Sequence, residues 1–292
     1  MFDIADIVCP TTAAQALAAV AADPQAVVIA GGTDVLVKVR EGKLAGARLI
    51  SIHGLSQWQG ITQDQEGTIH IGPLTTFSQL ENHPLLREKL QLLTEGAGQA
   101  GGPQLREQGT IGGNICNGAP SADTAPALLC VNARLLLSSR DSCRFLPIEQ
   151  FWLGPGKTAL AAGELLTDIL IKQEDFEGFG GCYYKYSMRQ AMDIATLSCA
   201  ITLRLGAEDK IAALRIALGV AAPTPMRAVE TEQALEGLRY PQAAAEIGAR
   251  IRREINPRDS WRASRAFRLQ IAGEISARAL QQAWLRAGGK VK

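Results

Sequence analysis

Two pairs of adjacent glycines, each with a threonine beside it, are the residues of this 292-residue chain best suited to chemistry. The first stands in Ala-Gly-Gly-Thr-Asp at 30–34 and the second in Thr-Ile-Gly-Gly-Asn at 110–114. Glycine has no Cβ, so its N–H groups can approach an anion closely and its backbone can turn to positive φ. Thr33 and Thr110 can donate hydroxyl hydrogen bonds to phosphate oxygens, and Asn114 can hold a loop or a ligand edge. Neither doublet is followed by a lysine at P-loop spacing. Two bare stretches of backbone, far apart in sequence, suit one large anionic ligand gripped from two sides. That points to a bound dinucleotide and to redox chemistry.

Two other glycine motifs read as decoys. Gly96-Ala-Gly-Gln-Ala-Gly101 satisfies G-x-G-x-x-G, with Asp123 about twenty residues on. The dinucleotide fingerprint needs a strand before it and a helix after it, whereas a helical pattern at 85–95 precedes this one and Gly102-Pro103 follows. A helix C-terminus passing into a loop explains it better. Gly154-Pro-Gly-Lys-Thr158 ends like a Walker A motif, but Phe151 stands where its first glycine belongs and no apolar strand leads in. It reads as a turn with an exposed lysine.

The elements that must position the doublets follow from periodicity. Thr12 with Gln15 forms a capping-box pattern ahead of an alanine-rich helix ending near Ala22. Residues 26–30 form a buried strand running into the first doublet, and a second strand at 48–52 follows a polar loop. Strands are expected at 61, 68–71 and 74, helices at 77–81 and 85–96, then a glycine-rich segment at 96–118, and strands at 133–137 and 169–172. A linker at 176–181 separates strands at 182–188, 195–205 and 211–220 from helices at 230–238, 242–255 and 260–287. The domains expected are residues 1–176, with subdomains 1–57 and 58–176, and residues 181–292.

Composition excludes several classes of partner. The chain is 47% hydrophobic and 20% charged with a formal net charge of +1, which gives no electrostatic case for nucleic acid or an acidic membrane. The arginine-rich stretch 250–268 also holds Glu254 and Asp259, so a solvated helical face or a subunit contact is expected there. The longest apolar run, 125–138, carries Asn132 and Arg134 and falls short of the ~20 residues of a membrane span. No signal-like apolar segment opens the sequence, so a soluble cytoplasmic protein is expected. Cys9, Cys116, Cys130, Cys143, Cys182 and Cys199 form no C-x-x-C and no zinc or iron–sulfur spacing; they read as buried free thiols. His53, His70 and His83 show no metal spacing and read as surface or strand residues.

Several motifs occur in an order that resembles the flavin-binding subunits of molybdenum hydroxylases, and most closely the separate FAD subunits of bacterial xanthine dehydrogenases. They are A-G-G-T-D after a strand, Q-L-R-E-Q-G-T-I-G-G-N-I at 104–115, S-A-D at 121–123, F-W-L-G-P-G-K-T at 151–158, G-E-L-L at 163–166 and M-R-Q-A-M-D-I-A at 188–195. The segments 221–227 and 261–264 fit the C-terminal domain of that family, so the resemblance spans nearly the whole chain. It implies an α+β fold of the vanillyl-alcohol oxidase type, in which two α+β subdomains cradle an extended FAD. A C-terminal α+β domain of a three-stranded antiparallel sheet and helices follows. Carried over residue by residue, Val27, Val28, Ile29, Ala30, Gly31, Gly32, Thr33 and Asp34 would form the first pyrophosphate loop. Gly109, Thr110, Ile111, Gly112 and Gly113 would form a second loop near pyrophosphate and flavin, with Asn114 beside them. Asp123 would accept a hydrogen bond from the ribityl or ribose region, Leu166 would pack on the isoalloxazine and Lys185 would meet its polar edge, where reduced flavin gathers negative charge.

Each has a plainer reading: Asp123 as an N-cap before 125–129, Leu166 as a core leucine and Lys185 as one residue of an alternating strand. Tyr183, Tyr184 and Tyr186 read as strand packing, with one of them a candidate to stack near the flavin. Glu107 replaces a residue that is often Asn in the family, and is expected to face solvent or pair with Arg106. Relatives with covalent flavin place His where Thr33 stands, so non-covalent FAD is expected. The resemblance further implies an oxidoreductase subunit without a catalytic acid or base of its own. Purine oxidation would occur at a molybdenum cofactor on one partner subunit, electrons would pass through two-iron two-sulfur clusters on another, and FAD here would hand them to NAD. The same resemblance admits the medium subunit of a carbon monoxide, nicotinate or aldehyde-type hydroxylase, or a non-catalytic FAD-binding assembly module.

Overall fold

The computed structural model describes residues 2–291; Met1 and Lys292, the outer ends of the two expected domains, lie outside the described residues. Its first layer is a three-stranded parallel sheet made of β1 (Ile4–Val8), β2 (Val27–Ile29) and β3 (Ala47–Ser51), in the order β1-β3-β2. Helix α1 (Ala13–Ala22) begins where the cap predicts: the Thr12 hydroxyl accepts from the Gln15 N–H. The Gln15 carboxamide closes on Thr11 instead of Thr12, so the reciprocal half of the capping box sits one residue early. Two elements here differ from expectation. The polar loop between β2 and β3 contains helix α2 (Val35–Arg40), started by Leu36 N–H to Gly32 O and Lys38 N–H to Asp34 O. Strand β1 went unanticipated because it is an edge strand, exposed over most of its length, with no apolar alternation to betray it.

The second layer is an antiparallel sheet in the order β4-β5-β10-β6-β7. Its strands are β4 (Ile61–Gln63), β5 (Ile69–Ile71), β6 (Arg134–Ser138), β7 (Cys143–Pro147) and β10 (Leu165–Ile171). Between β5 and β6 the chain runs through six short helices: α3 (Phe77–Asn82), α4 (Pro84–Lys89), α5 (Gln91–Gly98), α6 (Pro103–Gln108), α7 (Ile111–Cys116) and α8 (Ala125–Cys130). Alternate residues Ile69, Ile71, Leu135, Leu137, Ile169 and Ile171 join one buried cluster with Leu80, Leu93 and Leu128 from these helices. That burial is what holds the glycine-rich segment against the sheet. No strand precedes 96–101, which is the end of α5 and the turn before α6, so the Rossmann motif is incidental. The Walker-like stretch lies on the hairpin of β8 (Trp152–Gly154) and β9 (Lys157–Thr158). A short strand does lead into it, contrary to expectation, but a strand and not a helix follows.

The C-terminal sheet comprises β11 (Gly180–Tyr186), β12 (Leu197–Leu205), β13 (Ile211–Gly219) and β14 (Met226–Arg227), in that order. The expected three strands gain β14, two residues long, paired with Ala217 and Leu218. Helices α9 (Val229–Leu235), α10 (Tyr240–Glu254) and α11 (Arg265–Arg286) follow. Ser264 caps α11 through the Phe267 N–H, and Ile271, Ile275, Leu280 and Trp284 bury its inner face against the sheet. The other face of the sheet covers α8: Tyr183, Ala200 and Ala217 belong to the same buried cluster as Leu128 and Cys130. Arg215 reinforces this junction by donating to Asp175 and to the Cys130 carbonyl.

Candidate functional site: a cavity between the two glycine doublets

A cavity of about 600 Å³ opens where the parallel sheet, the glycine-rich helices and strand β10 meet. This size lies within the roughly 300–1,000 Å³ of small-molecule sites. Both doublets line it. From the first segment come Val28, Ala30, Gly31, Gly32, Thr33 and Asp34; Val27 and Ile29 do not, because successive side chains of a strand point to opposite faces. From the second come Gly109, Thr110, Gly112, Gly113 and Asn114, while Ile111 is fully buried behind them. The two segments touch: a Cβ on Gly31 would fall 1.7 Å from the Gln108 carbonyl oxygen. Glycine is therefore required at 31 by close approach and favoured at 32 by a φ of +74°.

The doublets play different parts. Among the described residues the N–H groups of Gly31, Gly32, Thr33 and Asp34 meet no backbone acceptor, so a run of four donors stands free beside the cavity. In the second segment the donors are already used. Thr110 is the N-cap of α7 and accepts from Gly113 N–H at 3.1 Å; Ile111 N–H bonds Thr75 O and Gly112 N–H bonds Pro73 O. This second segment is built as a capped helical turn on the cavity wall. What this turn offers is a bare surface: a Cβ on Gly113 would meet nothing but Thr110 Oγ1, at 3.0 Å. Asn114 holds a loop, its Oδ1 accepting from the Thr124 hydroxyl at 2.7 Å.

That loop carries Asp123, 8% exposed and on the cavity wall. Its Oδ1 accepts from the Tyr183 hydroxyl at 2.8 Å and its Oδ2 from Lys185 Nζ at 3.1 Å. Burial raises the Asp123 carboxyl above the ordinary range, against the opposing pull of Lys185 and Tyr183. Burial, with the Asp123 charge beside it, also drives the Tyr183 phenol well up, so it stays a donor. Asp123 is not the N-cap of α8; Thr124 holds that position. The Lys185 ammonium stands beside the cavity wall, donating to Asp123 and to the Gln99 carbonyl at 2.8 Å. None of the three tyrosines lines the cavity. Tyr184 meets Arg278 and Tyr186 packs edge-on against Phe267, on the opposite face of β11 from Tyr183.

Leu165 and Leu166 supply apolar wall from β10, beside the bulge between Leu166 and Asp168. Sequence reasoning missed Lys38, which lines the cavity four residues after Asp34 and donates to Asn117 Oδ1 at 2.8 Å. It also gave no role to Met192, Asp193 and Ile194, which reach the cavity from the loop between β11 and β12, although 188–195 had stood out as a motif. Of the two expectations for Glu107, the solvent-facing one holds: it is exposed and accepts from the Ser78 hydroxyl, while Arg106 pairs with Glu81. Glu164 lines the cavity but is bound by Arg144, which holds its carboxyl below the ordinary range against the raising effect of burial. Cys116 also lines it, and burial pushes that thiol up to about 12, so it is not a nucleophile. Cys9 and Cys143 are exposed, contrary to the expected burial of all six thiols. Among the described residues no group of three His, Cys, Asp or Glu is placed to hold a metal ion, and no helix is long and apolar enough to cross a membrane.

Comparison with known proteins gives this site a family. Residues 2–171 match the FAD binding domain in molybdopterin dehydrogenase, and residues 182–283 match the CO dehydrogenase flavoprotein C-terminal domain. The chain belongs to the FAD-binding subunits of molybdenum hydroxylases, which are oxidoreductase subunits. A putative xanthine dehydrogenase FAD-binding subunit of Escherichia coli is 39% identical over the full length of both chains. The carbon monoxide dehydrogenase medium chain of Hydrogenophaga pseudoflava is 30% identical over 88% of this chain and 89% of its own. A solved structure of carbon monoxide dehydrogenase from Hydrogenophaga pseudoflava superposes with a TM-score of 0.92 at 28% identity, covering 98% of this chain and 99% of that one.

Proposed function

We propose that the chain holds a dissociable FAD in the cavity between its doublets and serves as the electron-transfer subunit of a xanthine dehydrogenase-type complex. In this reading a partner subunit oxidises a purine at its molybdenum cofactor, a second partner relays electrons through two-iron two-sulfur clusters, and NAD is the terminal acceptor. The observation that carries it is the meeting of four free backbone donors at 31–34 with the bare face of Gly113 across one cavity. The purine assignment is supported by 39% end-to-end identity to the Escherichia coli subunit, well above the 30% shared with the carbon monoxide relative. Six unpaired cysteines without cluster spacing leave the iron–sulfur centres to partners and accord with a reducing, cytoplasmic setting.

The residues fit the cofactor. The N–H groups of Gly31, Gly32, Thr33 and Asp34 would hold the pyrophosphate, with the Lys38 ammonium adding positive charge. Gly113 would let the cofactor lie against α7. Asp123 would present carboxylate oxygens to a ribityl or ribose hydroxyl, and Leu166 would pack against the flat ring. FAD, when bound, supplies acceptance of electrons singly and their release as a pair or hydride. The chain's own part is orientation and electrostatics, with no proton to move, in keeping with a Glu164 tied to Arg144 and a neutral Cys116.

The test is anaerobic spectroscopy of the full chain, purified with the subunits it carries from the cell. FAD absorbance that bleaches with NADH, and with xanthine when the partners are present, is the expected result. Absence of flavin after incubation with FAD removes the cofactor assignment. Flavin that NADH cannot reduce removes the NAD assignment alone, and bleaching by carbon monoxide, nicotinate or an aldehyde in place of xanthine reassigns the complex.

A further inference from the structure

The arginine-rich stretch at 250–268 carries more positive charge than its two acids balance. Among the described residues only Arg250 of its arginines has a carboxylate partner, Glu246 at 2.7 Å. The Glu254 carboxylate is spent on α9, where it accepts from the N–H groups of Glu230 and Thr231. Asp259 accepts from the Arg265 N–H at 2.6 Å. Arg258, Arg262 and Arg265 therefore gather, without carboxylate partners, around the start of α11, whose first turn holds no acid. A helix dipole disfavours cations at that end. Trp261 stands among them, 86% exposed, with the Arg262 guanidinium 4.2 Å from its ring centroid. The tip that carries it is built, not loose. Ser260 and Ala263 exchange backbone hydrogen bonds of 3.0 and 3.2 Å, so Trp261 and Arg262 are the central residues of a closed turn. Buried Arg268 braces that turn, donating to the Ser260 hydroxyl at 2.7 Å and to the Thr196 carbonyl. Thr196 ends the loop whose residues 192–194 line the cavity. The same loop exposes Met188 and Ile194, and Phe267 is exposed beside Tyr186.

We infer that the turn at 260–263 is a docking point for an acidic protein face on a partner subunit, with Trp261 as its apolar anchor and Arg258, Arg262 and Arg265 as its charged surround. This rests on the reading that the chain works within a complex of several subunits. Charge complementarity names the partner: guanidiniums without carboxylates of their own favour those of another surface and bind them through two parallel hydrogen bonds. Shape favours a protein over a small anion. Small ligands take concave sites, whereas Trp261 projects from the tip of a turn, and no residue of 256–268 lines the cofactor cavity. Tryptophan and arginine are the residues that dominate the centres of protein interfaces. A turn closed by its own backbone and braced by Arg268 loses little freedom on docking, so more of the contact energy appears as affinity.

The test uses the full chain with the subunits it carries from the cell. Assembly is read as mass by light scattering during size-exclusion chromatography, folding by thermal melting and cofactor by flavin absorbance. Wild-type affinity for the partner is expected to fall at least about tenfold between about 0.1 and 1 M salt, as the screening length shrinks from about 10 Å to about 3 Å. Trp261→Ala is expected to keep the wild-type melting temperature and flavin content and to weaken assembly about thirtyfold, the scale of an interface hot spot. The triple variant Arg258→Gln, Arg262→Gln, Arg265→Gln is expected to melt no lower than the wild type, to assemble more weakly at about 0.1 M salt and to lose most of the salt dependence. If Trp261→Ala melts lower than the wild type, the triple variant decides alone. Phe145→Ala removes another exposed ring that lies under a guanidinium, that of Arg134, and is expected to assemble as the wild type does. Wild-type assembly in Trp261→Ala overturns the inference, as does an equal loss in Phe145→Ala or an affinity indifferent to salt. A mass made of copies of this chain alone, or one that collapses with nuclease, overturns the acidic protein partner. A wild-type chain that carries no subunit overturns the reading of a complex itself, and this inference with it.

Discussion

Glycine in this chain is used for three separable purposes, and each responds differently to an added methyl group. At Gly31 the space is taken by the Gln108 carbonyl, so Gly31→Ala forces the two cavity segments apart. We expect that variant to lose about 1–3 kcal/mol of stability, the usual cost of overpacking, read as a lower melting temperature. At Gly113 the space is open and faces the cavity, so Gly113→Val is expected to fold as the wild type does and to bind FAD at least about tenfold more weakly. A Gly113→Val protein with wild-type FAD affinity would count against placing the cofactor on α7. Equal stability of Gly31→Ala and wild type would count against the contact between the segments. At Gly32 the requirement is backbone conformation. The doublets were visible in the sequence, but this division of labour was not. A motif states which residues are bare, and only the fold states what their backbones face.

At the scale of elements, the strongest signals were buried and periodic, and the misses were exposed or short. Strand β2, helix α3 and strands β11 to β13 follow the hydrophobic pattern closely, whereas the single helix expected at 85–96 breaks at Leu90 into α4 and α5. Strand β1, strand β7 and helix α2 were missed because their exposed positions carry no pattern to read. The five-stranded sheet holds a pH-sensitive tie of the same hidden kind. His70 on β5 lies between Asp168 of β10, at 2.7 Å, and Asp64 of the preceding turn, at 3.3 Å. Burial pulls the imidazole pKa down, but the hydrogen bonds and charges of the two carboxylates outweigh it and raise the pKa above the ordinary value. A raised histidine stabilises the fold fully below about pH 6.5, where it is charged in both states, and loses that contribution as pH rises through its folded value. The melting temperature of the wild type should therefore exceed that of His70→Gln at pH 5.5–6, and the gap should close by pH 8.5–9. A gap that widens with pH would contradict the assignment.

The whole molecule joins its parts more tightly than a linker at 176–181 suggests. Tyr183, Ala200 and Ala217 complete the hydrophobic cluster over α8, and Arg215 and Lys185 carry polar bonds across the same junction. Removing the C-terminal sheet would strip that cover from α8 and leave Asp123 without either of its donors. A fragment spanning 2–176 is expected to melt well below the full chain and to aggregate, whereas the full chain should unfold in one cooperative transition by calorimetry. A fragment that melts at the full-chain temperature would show the junction to be dispensable.

By itself the sequence determined the α+β character, the order of most elements, the family and the two stretches of bare backbone at the cofactor cavity. These follow from local properties: which residues lack a Cβ, which recur with a strand or helix period, and which motifs stand in which order. Tertiary structure alone decided that the first doublet leaves its N–H groups free while the second spends them in a capped turn, that Gly31 rests on Gln108, that Lys38 reaches the cavity and that Lys185 bonds Asp123 on its wall. Hydrogen-bond partners and close approaches join residues far apart in the chain. No pattern along the sequence records which of two equally bare backbones finds its acceptors inside the protein and which keeps its donors for a ligand.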